Sequence, residues 1–359
     1  MGKRGKKKKS NVKTVILAVI AIIAILLCAA LAAGYVVLKY YYNSSNYVND
    51  ADVLVDYDYI QHAKDEGVFD EGDMATLSPE EESRLQAEFE GVADAVTSDG
   101  EGTYSIILIG TDRRSNNWYG NSDAMILLTI NDNTEKIYLT SLMRDLYANI
   151  PGVGVKKLNA AHANGGGPLL VETLESNYAL NIDNYATVDF NSMSTIIDLM
   201  GGVDIDVTVD EGNVANRYIR EICGIQGIDP APHYIQSSGV IHLNGIQAVS
   251  YGRIRYVGNA DYERTSRQRE VLTSMLVKAK SLSVGQLTDM FNRVVPLVTH
   301  NLEESTILEL ITKIPDVLQY EIIADRVPYD GLYYSSNEML IPDMEQTINR
   351  IYDTIYATK

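Results

Sequence analysis

Between Ser105 and Asp145 the chain holds three short apolar runs, Ser105–Ile109, Ala124–Ile130 and Lys136–Leu142. Each is rich in β-branched or long aliphatic residues and bounded by Gly, Asn or Asp, so each reads as a buried strand. Asn131-Asp132-Asn133 is a turn signal that pairs the second and third runs as a hairpin. That pairing brings Asp123 to the same sheet end as Arg144 and Asp145. If the first run is parallel to the third, Asp112 and Arg114 join them. Carboxylates and guanidiniums crowded at one sheet end are costly unless they pair internally or bind something.

Charge divides the chain sharply. Residues 1–39 carry eight Lys or Arg and no acid, leaving 22 basic against 48 acidic residues for the rest of the 359-residue sequence. An acidic body argues against a nucleic-acid surface, while leaving room for a local Arg-lined site. Residues 1–13 form a basic tail. Thr14 to Leu38 follows without a charge, long enough to cross a bilayer as a single transmembrane helix. The flanking Lys/Arg cluster keeps the N-terminus cytoplasmic and puts the C-terminal body outside the cell membrane. Cys28 and Cys223 are too isolated to form a disulfide framework, and the five scattered histidines give no zinc spacing.

Residues 39–102 read as an extracellular acidic spacer with one helix over about 79–96, opened by Ser78-Pro79-Glu80-Glu81. Residues 103–359 form the main domain with a C-terminal helical extension. Pro168 opens a helix after Gly165-Gly166-Gly167. A strand over 185–190 and a helix over 192–200 capped by Asn191 follow, then an alternating strand over 203–209. Residues 210–240 read as irregular. Helices over 246–251, from about 261 to 280, over 284–299 and over 304–314 come next, then a strand over 320–324 and a helix over 343–356. Strands alternating with helices give an α/β fold, a mixed central sheet with helices on both faces.

Two constellations carry chemistry. Asp112, Asp123, Asp145 and Asp261 can converge on a hard cation such as Mg²⁺, or each can cap a turn or pair with an arginine. Arg114, Arg144, Arg253, Arg255, Arg264 and Arg267 stand out in an acidic body. Guanidinium suits phosphate oxygens, and an outward-facing site would take pyrophosphate from a lipid-linked donor; a surface ion-pair network is the alternative. No Gly-x-Ser-x-Gly elbow or Ser/His/Asp arrangement supports acyl chemistry.

The blocks IILIGTDRR, NSDAMILLTIN, TSLMRD, KLNAAHANGGG, VDFNSMSTIIDLMGGVDIDV, HLNGIQAVSYGRIR and DYERTSRQREVL, in this order, resemble the LytR-CpsA-Psr family of Gram-positive cell-envelope proteins. The resemblance implies an α/β sheet with an apolar pocket for a polyprenyl chain. It also implies a phosphotransferase that moves a glycopolymer (teichoic acid, capsule or another wall polysaccharide) from undecaprenyl pyrophosphate to peptidoglycan with Mg²⁺. On that resemblance Asp112 and Asp123 hold the metal, Arg144, Asp145 and Asp261 are catalytic, and Arg114, Arg253, Arg255, Arg264 and Gln268 bind the substrate. Where the family commonly has Arg-Ser-Asp, this chain has Asn121-Ser122-Asp123, and Arg113 or Arg114 is the candidate replacement. Hydrolysis of the same lipid pyrophosphate, and a non-catalytic envelope regulator or lipid-binding module, are the alternative functions.

Overall fold

A computed structural model describes residue 39 and residues 42–50, 78–92, 100–111, 119–255, 257–258 and 260–358. The basic tail, the expected membrane span 14–38, Asp112 and Arg114 lie outside the described residues. Among the described residues no helix is long and apolar enough to cross a membrane. The chain divides into two units, Met1–Ser45 and Asn46–Lys359. In the first, the Ser45 amide and hydroxyl both donate to the Tyr42 carbonyl, at 3.0 and 2.6 Å.

The second unit is built on a seven-stranded mixed sheet. In chain order its elements are β1 (Asn46–Tyr47), α1 (Pro79–Val92), β2 (Thr103–Thr111), β3 (Ser122–Asn131), β4 (Lys136–Leu142), β5 (Tyr147–Ile150), β6 (Gly154–Lys157) and α2 (Asn159–Tyr178). Next come β7 (Asn184–Asp189), α3 (Phe190–Leu199), β8 (Val203–Val207), α4 (Val209–Gln226), β9 (Gly239–Leu243), α5 (Gly245–Gly252), α6 (Ala260–Lys280) and α7 (Val284–Val294). The C-terminal part holds β10 (Thr299–His300), α8 (Glu304–Val317), β11 (Glu321–Val327), β12 (Tyr333–Ser336), β13 (Met339–Pro342) and α9 (Met344–Ile355).

Sheet order is β1-β10-β7-β2-β3-β4-β11. β3 is antiparallel to β4, as the hairpin reading expects, and also to β2, so β2 and β4 run the same way. The Asn131 side chain shapes the turn: its Oδ1 accepts from the Thr134 amide at 3.0 Å, and its Nδ2 donates to the Ile355 carbonyl at 2.8 Å. β-branched alternation explains the two packed faces. Ile107, Ile109, Met125 and Leu127 point to one face and meet α1, α2 and α9. Ile126, Ile137 and Leu139 point to the other and meet Leu272 and Leu276 of α6. Ile107 and Leu139 are fully buried, each worth about 1.5–3 kcal/mol against exposure. A third cluster, around Ile197, Val207, Ala215, Leu243 and Ile254, joins α3, α4 and α5 to the antiparallel β8–β9 pair.

Four expectations are corrected. The helix expected inside an acidic spacer packs into the core through Leu85, Phe89 and Val92, with Phe89 stacked on Tyr147 at 5.4 Å. Residues 210–226 are helical, because Thr208 and Glu211 form a reciprocal capping box. Asp189, two residues before the expected Asn191, caps α3 by accepting from the Ser192 amide at 2.7 Å. The three glycines lie inside α2, which starts at Asn159 and breaks at Gly165 and Gly166. A Cβ on Gly167 would meet the Tyr185 ring at 2.4 Å, so the break lets α2 press onto β7.

Candidate active site

Asp123 is the second residue of β3, and Arg144 follows the end of β4. Antiparallel register sets them side by side, and Arg144 Nη1 donates to Asp123 Oδ1 at 2.9 Å. Arg255 lies just after α5, with Nη2 3.6 Å from the same oxygen and Nε 4.0 Å from Asp261 Oδ1. Asp261 and Arg264 stand in the first turns of α6 with i, i+3 spacing, and Arg264 Nη2 is 2.6 Å from Asp261 Oδ1. Asp145 closes the set: its Oδ1 is 3.6 Å from Arg144 Nε and 3.2 Å from Lys157 Nζ.

The cluster is largely buried and incompletely hydrogen-bonded. Arg264 and Lys157 are only 2% and 3% exposed. Arg144 Nε, Arg264 Nε and Nη2, Asp145 Oδ1 and Asp261 Oδ2 are buried without a hydrogen bond. The Arg144–Asp145 approach is too long for one, and the short Arg264–Asp261 approach is misaligned. Each orphaned donor or acceptor costs about 1–3 kcal/mol.

Burial alone would raise the Asp123 carboxyl, but Arg264, Arg144 and Arg255 outweigh it and hold it below the usual carboxylate range. Asp261 goes the other way: burial, helped by Asp145, raises it despite Arg264. Burial also lowers Arg264, so desolvation wins over attraction on both sides of that pair. Burial likewise works against the charge of Arg144, yet Asp145 and Asp123 raise it above its ordinary value. Four cations face three aspartates, and the orphaned donors point to an anion with several acceptor oxygens.

Six of the expected site residues therefore converge: Asp123, Arg144, Asp145, Arg255, Asp261 and Arg264. Arg253 does not. Its guanidinium lies between the Phe190 and Tyr218 rings, 4.7 and 5.0 Å from their centroids, and Nη2 donates to Glu221 at 3.2 Å. Gln268 lies one turn beyond Arg264 beside Gly252, where an added Cβ would stand 3.7 Å from its Cγ. Arg267 pairs with Glu211 at 2.8 Å instead of joining the cluster. Lys157 was missed by sequence reasoning, although Lys156-Lys157 is a basic pair in an acidic body. His162 packs edge-on to Tyr119 and bonds the Gly120 carbonyl at 2.9 Å, which props the segment leading to Asp123.

Asp123 suits a hard cation in part. It is an ionised oxygen donor, and the guanidinium contacts fall on Oδ1. Thr111 pairs with Ser122, so β2 delivers the chain to the Asp123 end just before Asp112. Among the described residues there is no group of three or more His, Cys, Asp or Glu that could hold a metal alone. A cation here would need Asp112 or substrate oxygens as further ligands.

The LytR_cpsA_psr family model matches residues 70–353. Biofilm regulatory protein A of Streptococcus mutans serotype c is 31% identical over 261 residues, 67% of this chain, and the match spans only 62% of that protein. The polyisoprenyl-teichoic acid–peptidoglycan teichoic acid transferase TagU of Bacillus licheniformis is 27% identical over 268 residues, 71% of this chain and 81% of its own. The Bacillus subtilis TagT crystal structure aligns at 23% identity with TM-score 0.55, over 74% of this chain and 95% of TagT. TagT with bound octaprenyl pyrophosphate lipid aligns with TM-score 0.52 over the same shares. With four fifths of its length matched by the family model and the expected sheet and helices in place, the chain belongs to the LytR_cpsA_psr family.

Proposed function

We propose that this protein transfers a glycopolymer from a polyprenyl-pyrophosphate carrier to peptidoglycan, at the cluster of Asp123, Arg144, Asp145, Arg255, Asp261 and Arg264. One observation carries the reading: buried guanidinium donors on Arg144 and Arg264 make ion-pair contacts but no hydrogen bond, beside an Asp123 carboxyl held below its usual range. A pyrophosphate supplies the acceptor oxygens those donors need. The transferase names of relatives and the lipid bound to TagT support the substrate class. The second sheet face supports it too. Leu108 and Leu128 are only half-buried there, and α8 leaves Leu308, Ile311 and Ile314 39%, 41% and 38% exposed. The polyprenyl tail lies on this apolar side, with its pyrophosphate at the strand ends.

Positioning and charge neutralisation dominate phosphoryl transfer. Arg144, Arg255 and Arg264 hold the two phosphates and the charge that moves to the leaving group. The acceptor sugar hydroxyl attacks the polymer-bearing phosphorus, the new P–O bond forms, and the bridging P–O bond breaks to release polyprenyl phosphate. Asp261 takes the hydroxyl proton: burial raises its carboxyl, and its Oδ2 accepts no hydrogen bond. Mg²⁺ on Asp123 and Asp112 would neutralise phosphate oxygens. Residues 14–38 anchor the chain in the membrane with this domain outside.

The test is binding of octaprenyl pyrophosphate by the detergent-purified full chain. Binding by the wild type and its loss in Arg144→Ala are expected. Undiminished binding in Arg144→Ala and Arg264→Met would show that the cluster is not the headgroup site.

A further inference from the structure

Arg267 is 4% exposed, and every hydrogen bond of its guanidinium is directed. Nε donates to Glu211 Oε1 at 2.8 Å, Nη1 to the Ile254 carbonyl at 3.2 Å, and Nη2 to the Val257 carbonyl at 3.1 Å. Those two carbonyls flank Arg255, one residue before it and two after. The Tyr251 ring lies under the same guanidinium at 6.0 Å. Glu211 is itself fixed, because its Oε2 accepts from the Thr208 amide at 2.9 Å and the Thr208 hydroxyl at 2.7 Å. One carboxylate thus caps α4 with one oxygen and orients Arg267 with the other. Arg255, by contrast, sits on irregular chain between α5 and α6, its side chain 31% exposed, at the long ends of its contacts with Asp123 and Asp261.

We infer that Arg267 and Glu211 are positioning residues that clamp the main chain on both sides of Arg255 and aim its guanidinium at the pyrophosphate. This rests on the function proposed above. A long side chain on an irregular segment loses binding strength to its own freedom, and fixing its backbone removes that loss. Only a planar fork makes three such bonds, so Lys cannot replace it.

The experiment is a double-variant cycle on the full chain in detergent, reading calorimetric affinity for inorganic pyrophosphate with Mg²⁺. Arg255→Ala is expected to weaken binding about tenfold or more, the loss of a charge-assisted contact. Arg267→Lys should reproduce most of that loss. In the Arg255→Ala background it should add less than about twofold, because it acts through Arg255. Losses that multiply in the double variant overturn the inference and make Arg267 a general structural residue. Glu211→Gln, which keeps the shape of the carboxylate, repeats the cycle should Arg267→Lys unfold. Amide exchange of peptide 253–258 is the ligand-free readout: selective acceleration in Arg267→Lys or Glu211→Gln is expected, and unchanged protection refutes the clamp. Failure of the wild type to bind pyrophosphate overturns the proposed function while this exchange result still judges the clamp.

Discussion

Replacing Arg264 by Met should separate stability from function. Arg264 is almost wholly buried, its Nε and Nη2 make no hydrogen bond, and its surroundings lower its affinity for a proton. Two orphaned donors represent about 1–3 kcal/mol each against folding. Met fills most of the volume without that cost. The partner left behind is Asp261, and removing one member of a buried pair normally costs about 3–5 kcal/mol. Here burial already raises the carboxyl of Asp261, and losing Arg264 raises it further, which lowers that cost. Asp123 keeps Arg144 and Arg255. The balance is a stability between unchanged and about 2 kcal/mol higher, in the range seen when buried pairs become apolar. For a unit of this length, Asn46–Lys359, that is a rise of up to about 3 °C in Tm. Pyrophosphate, however, loses two charged donors of about 1.5–3 kcal/mol each, or at least about a hundredfold in affinity. Thermal unfolding and calorimetric titration of the same preparation read both quantities. A Tm more than about 10 °C lower with affinity preserved would show that Arg264 is structural and the reasoning wrong.

Three further outcomes follow from the same geometry. Asp261 has a raised folded pKa, so its stabilising contribution is full below the ordinary value of 3.8 and is lost as pH rises through the folded value. Asp261→Asn should therefore raise Tm at pH 7, with the gap closing as the pH is lowered; a gap that widens toward acid contradicts the sign. Asp123→Asn should lower polymer transfer by about a hundredfold or more and also lower Tm near neutral pH, because the charge that pairs with Arg144 and Arg255 is lost; chelation of Mg²⁺ should abolish wild-type transfer until the ion is restored. Gly245→Ala should destabilise by about 1–3 kcal/mol or more, because its Cβ would stand 1.9 Å from the Ser194 carbonyl oxygen where α5 meets α3. Denaturant unfolding measures this, and an unchanged midpoint contradicts the tight contact.

The strands were legible because β-branched runs and the Asn131-Asp132-Asn133 turn act locally, and the turn fixes a register that sets Asp123 beside Arg144. The helix Val209–Gln226 was missed, although its start carries a local signal. Thr208-x-x-Glu211 is a capping box, and Glu211, Ala215, Ile219 and Ile222 recur at helical spacing, but no long apolar run announces it. The aim of an arginine is another matter. Arg253 and Arg255 are two residues apart, yet Phe190, Tyr218 and Glu221 capture one while Asp123 and Asp261 attract the other. Except for Asp261, those partners are distant in sequence and meet the arginines only through tertiary packing. The β12–β13 hairpin escaped for a local reason: its turn puts Asn337 and Glu338, not glycine, at positive φ of 46° and 62°. Glu338 then reaches within 3.8 Å of Lys157 at the edge of the site.

The most direct measurement is incubation of the full chain with a polyprenyl-pyrophosphate-linked glycan, Mg²⁺ and peptidoglycan fragments, with products resolved by mass. The predicted result is glycan joined to peptidoglycan through a phosphodiester, polyprenyl phosphate released, and both lost in Arg144→Ala and Asp123→Asn. Free phosphate-terminated glycan alone would make the protein a hydrolase. Tight lipid binding with no turnover, unchanged in those variants, would contradict an enzymatic role for the cluster altogether.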